Sequence, residues 1–279
     1  MTVELEEIGR TLDREPIVLW PRDNDGALSN LGESCPMQAK YKEVCEKAVA
    51  RIINAHGPKI DCVYVRGSVA IAAAVPPYSD LDLLAAGSLL PRDAPDICSH
   101  LESEHPFLES VDLVLVDTLE LKTSSDLAKL RAMISTQSKL LSGTDIRPEL
   151  GRYHPDRVFA KAHFGDLARE CNWLAEILSG AIPSPSFRGV DRGRQFWVRW
   201  SMRNVLRASQ LLAMLCTAEY SSHLGTCTRL AAKHFPQFRR QLLKAFWIER
   251  QHSPDPEAAH VVLADFQSRV LPLWDRSMN

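Results

Sequence analysis

The sequence predicts an α+β chain in which a small mixed sheet with its helices comes first and an all-α helical bundle follows. Three observations carry that expectation. Between residues 38 and 142, short β-branched runs alternate with stretches of helical period. Beyond residue 154 the strand-like runs give way to apolar residues recurring at helical spacing. The 279 residues, 45% apolar and 24% charged, exceed a common single domain and hold enough apolar material for two cores. The expected division is an irregular lead-in over 1–36, a sheet-bearing domain over 37–147 and a helical domain over 148–279.

The elements are read in order. Pro16, Pro21, Asp23, Asn24, Gly26 and Pro36 make residues 1–36 look irregular. From Gln38 to Ala55, Val44, Ala48, Ile52 and Ala55 recur as a helix face, and His56-Gly57-Pro58 stops it. Residues 61–66, Asp-Cys-Val-Tyr-Val-Arg, read as a strand. Val69 to Val75 reads as one or two helical turns before Pro76-Pro77. Leu81 to Ala85 is a second strand, Pro91 to Glu104 a helix with Pro and Asp at its start, and Val111 to Val116 a third strand buried on both faces. Residues 123–142 read as a helix and a short extended piece from Ser138 to Leu141. Helices are then expected over His154–Ser179, Arg192–Thr217, His223–His234, Phe238–His252 and Glu257–Trp274. Trp197, Trp200, Phe235, Phe246 and Trp247 are assigned to the bundle core.

Bulk properties narrow the function classes. A net charge of -2 supplies no global field for nucleic acid, so such a partner would need a local patch. The seven cysteines include no C-x-x-C, and the nine histidines form no metal-ligand spacing, so reduced core thiols and no zinc are expected. The acidic N-terminus has no apolar run, and no stretch of about 18 apolar residues occurs, which places the expected protein in the cytoplasm. Nothing in the sequence fixes the oligomeric state.

The chemistry concentrates in residues 63–84. A strand ends at Gly67-Ser68, eleven residues follow, and Asp80-Leu81-Asp82 leads a second strand. Asp80 and Asp82, two apart on a strand, share a face. Paired carboxylates repel, and a divalent cation relieves that repulsion; oxygen donors suit Mg²⁺. Gly67 has no Cβ to obstruct a phosphate, and Ser68 adds a hydroxyl donor. Asp112, on the third strand between Val111 and Leu113, completes a triad if that strand lies beside the second. Asp117 ends the same strand with opposite parity and is expected to be a cap.

This pattern resembles the DNA polymerase β-like nucleotidyltransferase superfamily: a hydrophobic strand, Gly-Ser, a spacer of this length, Asp-x-Asp and a later acidic strand residue. The resemblance covers roughly residues 40–145. It implies that 37–147 is the catalytic domain, that Gly67 and Ser68 hold the outer phosphates, and that Asp80 and Asp82 bind Mg²⁺. Asp112 is implied as base toward the acceptor hydroxyl or as a further metal ligand. The implied reaction moves NMP from an NTP, ATP first among them, to an acceptor. The helical second half is similar to that of bacterial small-molecule members such as aminoglycoside or lincosamide nucleotidyltransferases. A small-molecule acceptor is therefore favoured over tRNA or a protein side chain, and over a silent nucleotide-binding module.

Two helical features complete the reading. Arg192, Arg199, Arg203 and Arg207, spaced seven, four and four apart, share one helix face. They are either a solvated face paired with acidic residues, or a cationic wall in which Arg199 and Arg203 meet the nucleotide. Arg229 and His234 match loosely the Arg-x4-His pattern of HEPN ribonucleases, with Leu230 where a polar residue is usual.

Overall fold

The computed structural model describes residues 2–14, 16–76, 79–91, 94–187, 190–191, 193–251 and 253–278. They gather into two compact units, residues 21–154 and residues 1–20 with 155–279. In chain order α1 (Thr2–Arg14) precedes α2 (Leu31–Ser34), α3 (Ala39–His56), β1 (Ile60–Arg66), α4 (Gly67–Ala70), β2 (Leu81–Gly87), α5 (Pro95–Glu104), β3 (Val111–Asp117), α6 (Thr118–Thr123), α7 (Ala128–Gln137) and β4 (Ser138–Gly143). Then come α8 (Arg157–His163), α9 (Leu167–Ser179), α10 (Gly193–Thr217), α11 (Leu224–His234), α12 (Arg239–Arg250), α13 (Pro256–Arg269) and α14 (Leu271–Met278).

The sheet runs β3-β2-β1-β4. β1 is antiparallel to β2 and β4, whereas β2 and β3 are parallel. The parallel pair follows from the crossover through α5, which returns the chain to its starting edge. Because side chains alternate along each strand, the sheet has two apolar faces. Val63, Val65, Leu81, Leu83, Ala85, Val111, Leu113 and Leu115 pack in one core with the α3 stripe of Tyr41, Val44, Cys45, Ala48 and Ile52. Cys62, Tyr64, Leu84, Ala86 and Val116 pack in a second core with Leu121 and Ile134. The even-numbered positions of β1, β2 and β3 thus share one face, and at one end of the strands that face turns polar.

Several expectations need correction. Residues 1–36 are not wholly irregular. Ile8 and Leu12, buried at 6% and 2% exposure, give α1 an apolar stripe, and it packs on α11 and α12. The turn-forming residues of 16–36 had obscured that period. Helix begins at Gly67 rather than Val69 and lasts one turn, and α5 starts at Pro95 rather than Pro91. The helix expected over 154–179 is two, because Asp166 caps a fresh start at α9 through the Arg169 N–H. The last helix also divides, at Val270; Pro272 has no N–H to continue the ladder.

In the helical unit α10 is the axis, packed by α9, α11, α12 and α13. Its 25 residues include 14 that are buried, so it is apolar on most sides, as a central helix must be. Trp197 and Phe246 are core residues as expected, whereas Trp247 is 40% exposed. No helix among the described residues is long and apolar enough to cross a membrane.

Candidate active site

The site is built where β1 ends and β2 and β3 begin. Register places Arg66 opposite Asp82, and Asp82 opposite Asp112. Partners in register point to the same face, so three charged side chains form a row across three strands. Arg66 Nη2 lies 3.1 Å from Asp82 Oδ1 and donates to Asp112 Oδ2 at 2.7 Å. Arg66 is 7% exposed and Asp112 9%. Burial works against the guanidinium charge, but Asp82 and Asp112 hold the Arg66 pKa above its ordinary value.

Asp80 precedes β2 and accepts a hydrogen bond from Ser110 Oγ at 2.7 Å. The same Ser110 gives its carbonyl to the Leu81 N–H, which fixes the start of β2 beside β3. Burial, then the Asp80 charge, raises the Tyr41 phenol above its ordinary pKa, so Tyr41 stays neutral.

Gly67 follows Arg66 with φ +70°, and an added Cβ would stand 2.5 Å from Asp82 Oδ2. Glycine is required here twice over, by backbone conformation and by the carboxylate against it. Ser68 is half-buried in the next position, and its carbonyl accepts from the Ala73 N–H at 2.8 Å. Gln38 Nε2 donates to the carbonyls of Ala72 (3.3 Å) and Ala74 (3.1 Å), which straps the spacer to the start of α3. Pro77 and Tyr78 of that spacer lie outside the described residues.

The structure therefore brings Gly67, Asp82 and Asp112 together, with Ser68 next in chain after Gly67 and Asp80 two residues before Asp82. Asp117 is a cap: its Oδ1 accepts from the N–H groups of Leu119 (2.9 Å) and Glu120 (3.1 Å). Arg66 and Ser110 were not picked out from sequence. A signal for Arg66 existed, since a charge at the end of the apolar run Val63-Tyr64-Val65 has the parity of Tyr64 and must find a partner on that face.

The donor set is of the right kind for magnesium, three carboxylates of hard oxygens on one face. Asp82 is the more open of the Arg66 partners, with 25% of its side chain exposed against 10% for Asp112. Between Asp82 and Asp112 a cation's place is taken by Arg66 Nη2. Among the described residues no group of three or more His, Cys, Asp or Glu is disposed as a ready cation cluster.

The arginine stripe lies on α10, except that Arg192 is outside the described residues. Arg203 Nε pairs with Glu249 Oε1 at 2.9 Å, and Arg199 Nη2 donates to the Gln251 carbonyl at 3.1 Å. Each has at least one partner inside the helical unit. Arg229 on α11 donates to the Asp13 carbonyl at 3.4 Å, and the His234 ring meets Phe235 edge-on at 4.8 Å.

Among solved structures, the chain is similar to spectinomycin adenyltransferase AAD(9) from Enterococcus faecialis, determined with ATP and spectinomycin. The TM-score is 0.50 at 14% identity, covering 81% of this chain and 98% of that one. A toxin–antitoxin structure with AMP-PNP gives 0.28 at 22% identity, covering 49% of this chain and 98% of that one. The toxin–antitoxin pair MntA-HepT gives 0.25 at 21%, covering 50% and 99%. At those scores the latter two carry no argument. No protein-family model and no curated relative matches the chain. At such identity the likeness to the adenyltransferase is one of fold, and the chain has the nucleotidyltransferase fold: a small mixed sheet with its helices, and a helical second part.

Proposed function

We propose that this chain is a metal-dependent nucleotidyltransferase that moves NMP from an NTP to a hydroxyl of a small-molecule acceptor. The observation that carries the reading is the cross-strand row of Arg66, Asp82 and Asp112 beside Gly67, with Asp80 two residues before Asp82. Asp117 is a cap; Asp82 and Asp112 instead meet at Arg66 at one end of one sheet face. Such convergence of buried and half-buried charge is what an active site needs and what a stable core avoids.

Asp80 and Asp82 would hold Mg²⁺, which when bound neutralises phosphate charge and orients the α-phosphorus. Gly67 leaves the turn free of a Cβ where a phosphate approaches, and the Ser68 hydroxyl donates to an outer phosphate oxygen. Asp112 takes the acceptor's hydroxyl proton or joins the metal ligands. The acceptor oxygen then bonds to the α-phosphorus as the bond to the β-phosphate oxygen breaks, and pyrophosphate leaves. The proposal extends nucleotide contact to Arg199 and Arg203. Arg203→Ala then raises KM for the NTP, whereas an unchanged KM assigns Arg203 to its pair with Glu249.

The adenyltransferase of similar fold was solved with ATP and spectinomycin, which makes ATP and an aminocyclitol the first pair to try. The test is a screen of labelled ATP, GTP, CTP and UTP with Mg²⁺ against pooled aminocyclitols, aminoglycosides and lincosamides. The expected result is a labelled product lost by orders of magnitude in Asp80→Asn and Asp82→Asn, both still folded. Near wild-type turnover in either variant overturns the assigned site.

A further inference from the structure

We propose that Arg66 is a resident cation of the carboxylate site, which a divalent ion must displace before it can take both Asp82 and Asp112. The inference rests on the carboxylate site of the proposed transferase, but it concerns cation binding alone.

The reasoning starts from charge. Asp82 and Asp112 are register partners on adjacent parallel strands, so their side chains stand about 5 Å apart at the backbone. Two carboxylates so placed need a positive group between them. The chain supplies one from the third strand in the row, Arg66, whose single nitrogen Nη2 reaches both acids at 3.1 and 2.7 Å. Arginine usually meets a carboxylate as a fork, with two parallel N–H groups on two oxygens. Here one nitrogen bridges two carboxylates, as a metal ion would.

A second observation separates this from an ordinary structural ion pair. Arg66 is 7% exposed, and its Nε is buried with no hydrogen-bond partner among the described residues. That donor adds nothing to hold the guanidinium in place. Arg66 is held by contacts at one end, so a change of rotamer surrenders two contacts at Nη2. Gly67 leaves space beside Asp82 Oδ2, the oxygen that does not face Arg66. An ion could therefore first engage Asp82 from that side, with Asp80, and then compete for Oδ1 and Asp112. Arg66 in this view offsets one of the negative charges of the metal-free site and sets how tightly a divalent ion binds.

The test is Mn²⁺ titration by calorimetry, without nucleotide, on the full chain and on Arg66→Gln and Arg66→Lys. Removing the competing charge should tighten Mn²⁺ binding roughly tenfold or more in Arg66→Gln. Arg66→Lys, which keeps the charge, should stay within about threefold of wild type. Melting temperatures should agree: Mn²⁺ should raise that of Arg66→Gln further above its EDTA value than it does in the wild type. Equal or weaker Mn²⁺ affinity in Arg66→Gln overturns the inference and leaves the transferase reading intact. No saturable Mn²⁺ binding in either protein overturns the inference and leaves the transferase reading to the activity screen, because substrate phosphates supply part of the ligand set in such sites. Should Arg66→Gln not fold, a crystal of the wild type soaked in Mn²⁺ decides. Nη2 out of reach of both carboxylates supports displacement, and a bound ion with Nη2 still on Asp112 refutes it.

Discussion

Gly67→Ala separates two reasons for a glycine, and the structure gives a size to each. At φ +70° an alanine pays a conformational cost of roughly 1–2 kcal/mol, offset in part by a less disordered unfolded chain, about 0.4–1 kcal/mol. The chain accepts such a cost elsewhere, since Ala72 sits at φ 57°. The second cost is specific to this site. The new Cβ would stand 2.5 Å from Asp82 Oδ2, so the carboxylate has to turn away and loosen its 3.1 Å contact with Arg66. An off-rotamer side chain and a weakened ion pair add about 1–2 kcal/mol. Gly26 is the control, with φ +82° and nothing within 4 Å of an added Cβ. Gly26→Ala should therefore show the backbone cost alone. Calorimetric melting should put Gly67→Ala below Gly26→Ala by on the order of 5 °C. Gly67→Ala should also lose transfer activity by about a hundredfold or more because Asp82 is displaced. Equal melting temperatures and equal activity in the two variants would refute the close approach of Asp82 to residue 67.

Two further outcomes follow. Asp117→Ala removes the cap of α6 and should cost about 1 kcal/mol of stability in denaturant unfolding while leaving transfer kinetics unchanged; a hundredfold loss of kcat would make Asp117 rather than Asp112 the third acid. The hydrogen bond from the Arg147 side chain, against some desolvation and with help from the Arg147 N–H and Tyr64, lowers the Asp145 pKa to about 2 from 3.8. A carboxylate held below its unfolded value contributes stability above about pH 4 that is lost as pH falls toward 2, so melting temperature should fall over that window and fall less in Asp145→Asn; parallel curves for the two proteins would count against it.

Much of the fold was legible because strand and helix periods differ. The runs at 61–66, 81–85, 111–116 and 138–141 gave the four main strands to within two residues, and the Val44–Ile52 stripe gave α3. Illegible were the breaks made by single residues inside a continuous period. Asp166 restarts a helix whose apolar stripe runs on across the break from Phe159 and Phe164 to Leu167 and Cys171. Helix α1 was hidden for the opposite reason: a good stripe of Ile8 and Leu12 precedes a segment whose prolines and Gly26 dominated the reading. Trp247 shows the limit of residue type, since a large aromatic side chain on a helix does not say which side of the helix faces inward.

The site divides along the same line, between what one strand fixes and what needs two. Parity within a strand is a local property, and it was enough to set Asp112 apart from Asp117 and to put Asp80 and Asp82 on one face. Register between strands is not local. Nothing in the sequence says that position 66 stands opposite 82, or that 82 stands opposite 112. Without register, the three acids read as an uncompensated cluster that only a metal could quiet. With it, the residue immediately before Gly67 becomes a counter-charge, and the negative charge of the row is partly offset without a metal. Neutralising Asp82 therefore removes a partner of Arg66 as well as a repelling charge. Asp82→Asn removes an ion-pair partner of a buried arginine and should lower the melting temperature in EDTA, because a buried guanidinium deprived of a counter-charge is costly. Asp80→Asn removes a charge that Arg66 feels only at longer range and should lower it less. Melting both variants in EDTA distinguishes the two cases. A higher melting temperature for Asp82→Asn than for the wild type would mean that Arg66 does not balance the row, and that the repulsion read from the sequence governs the site after all.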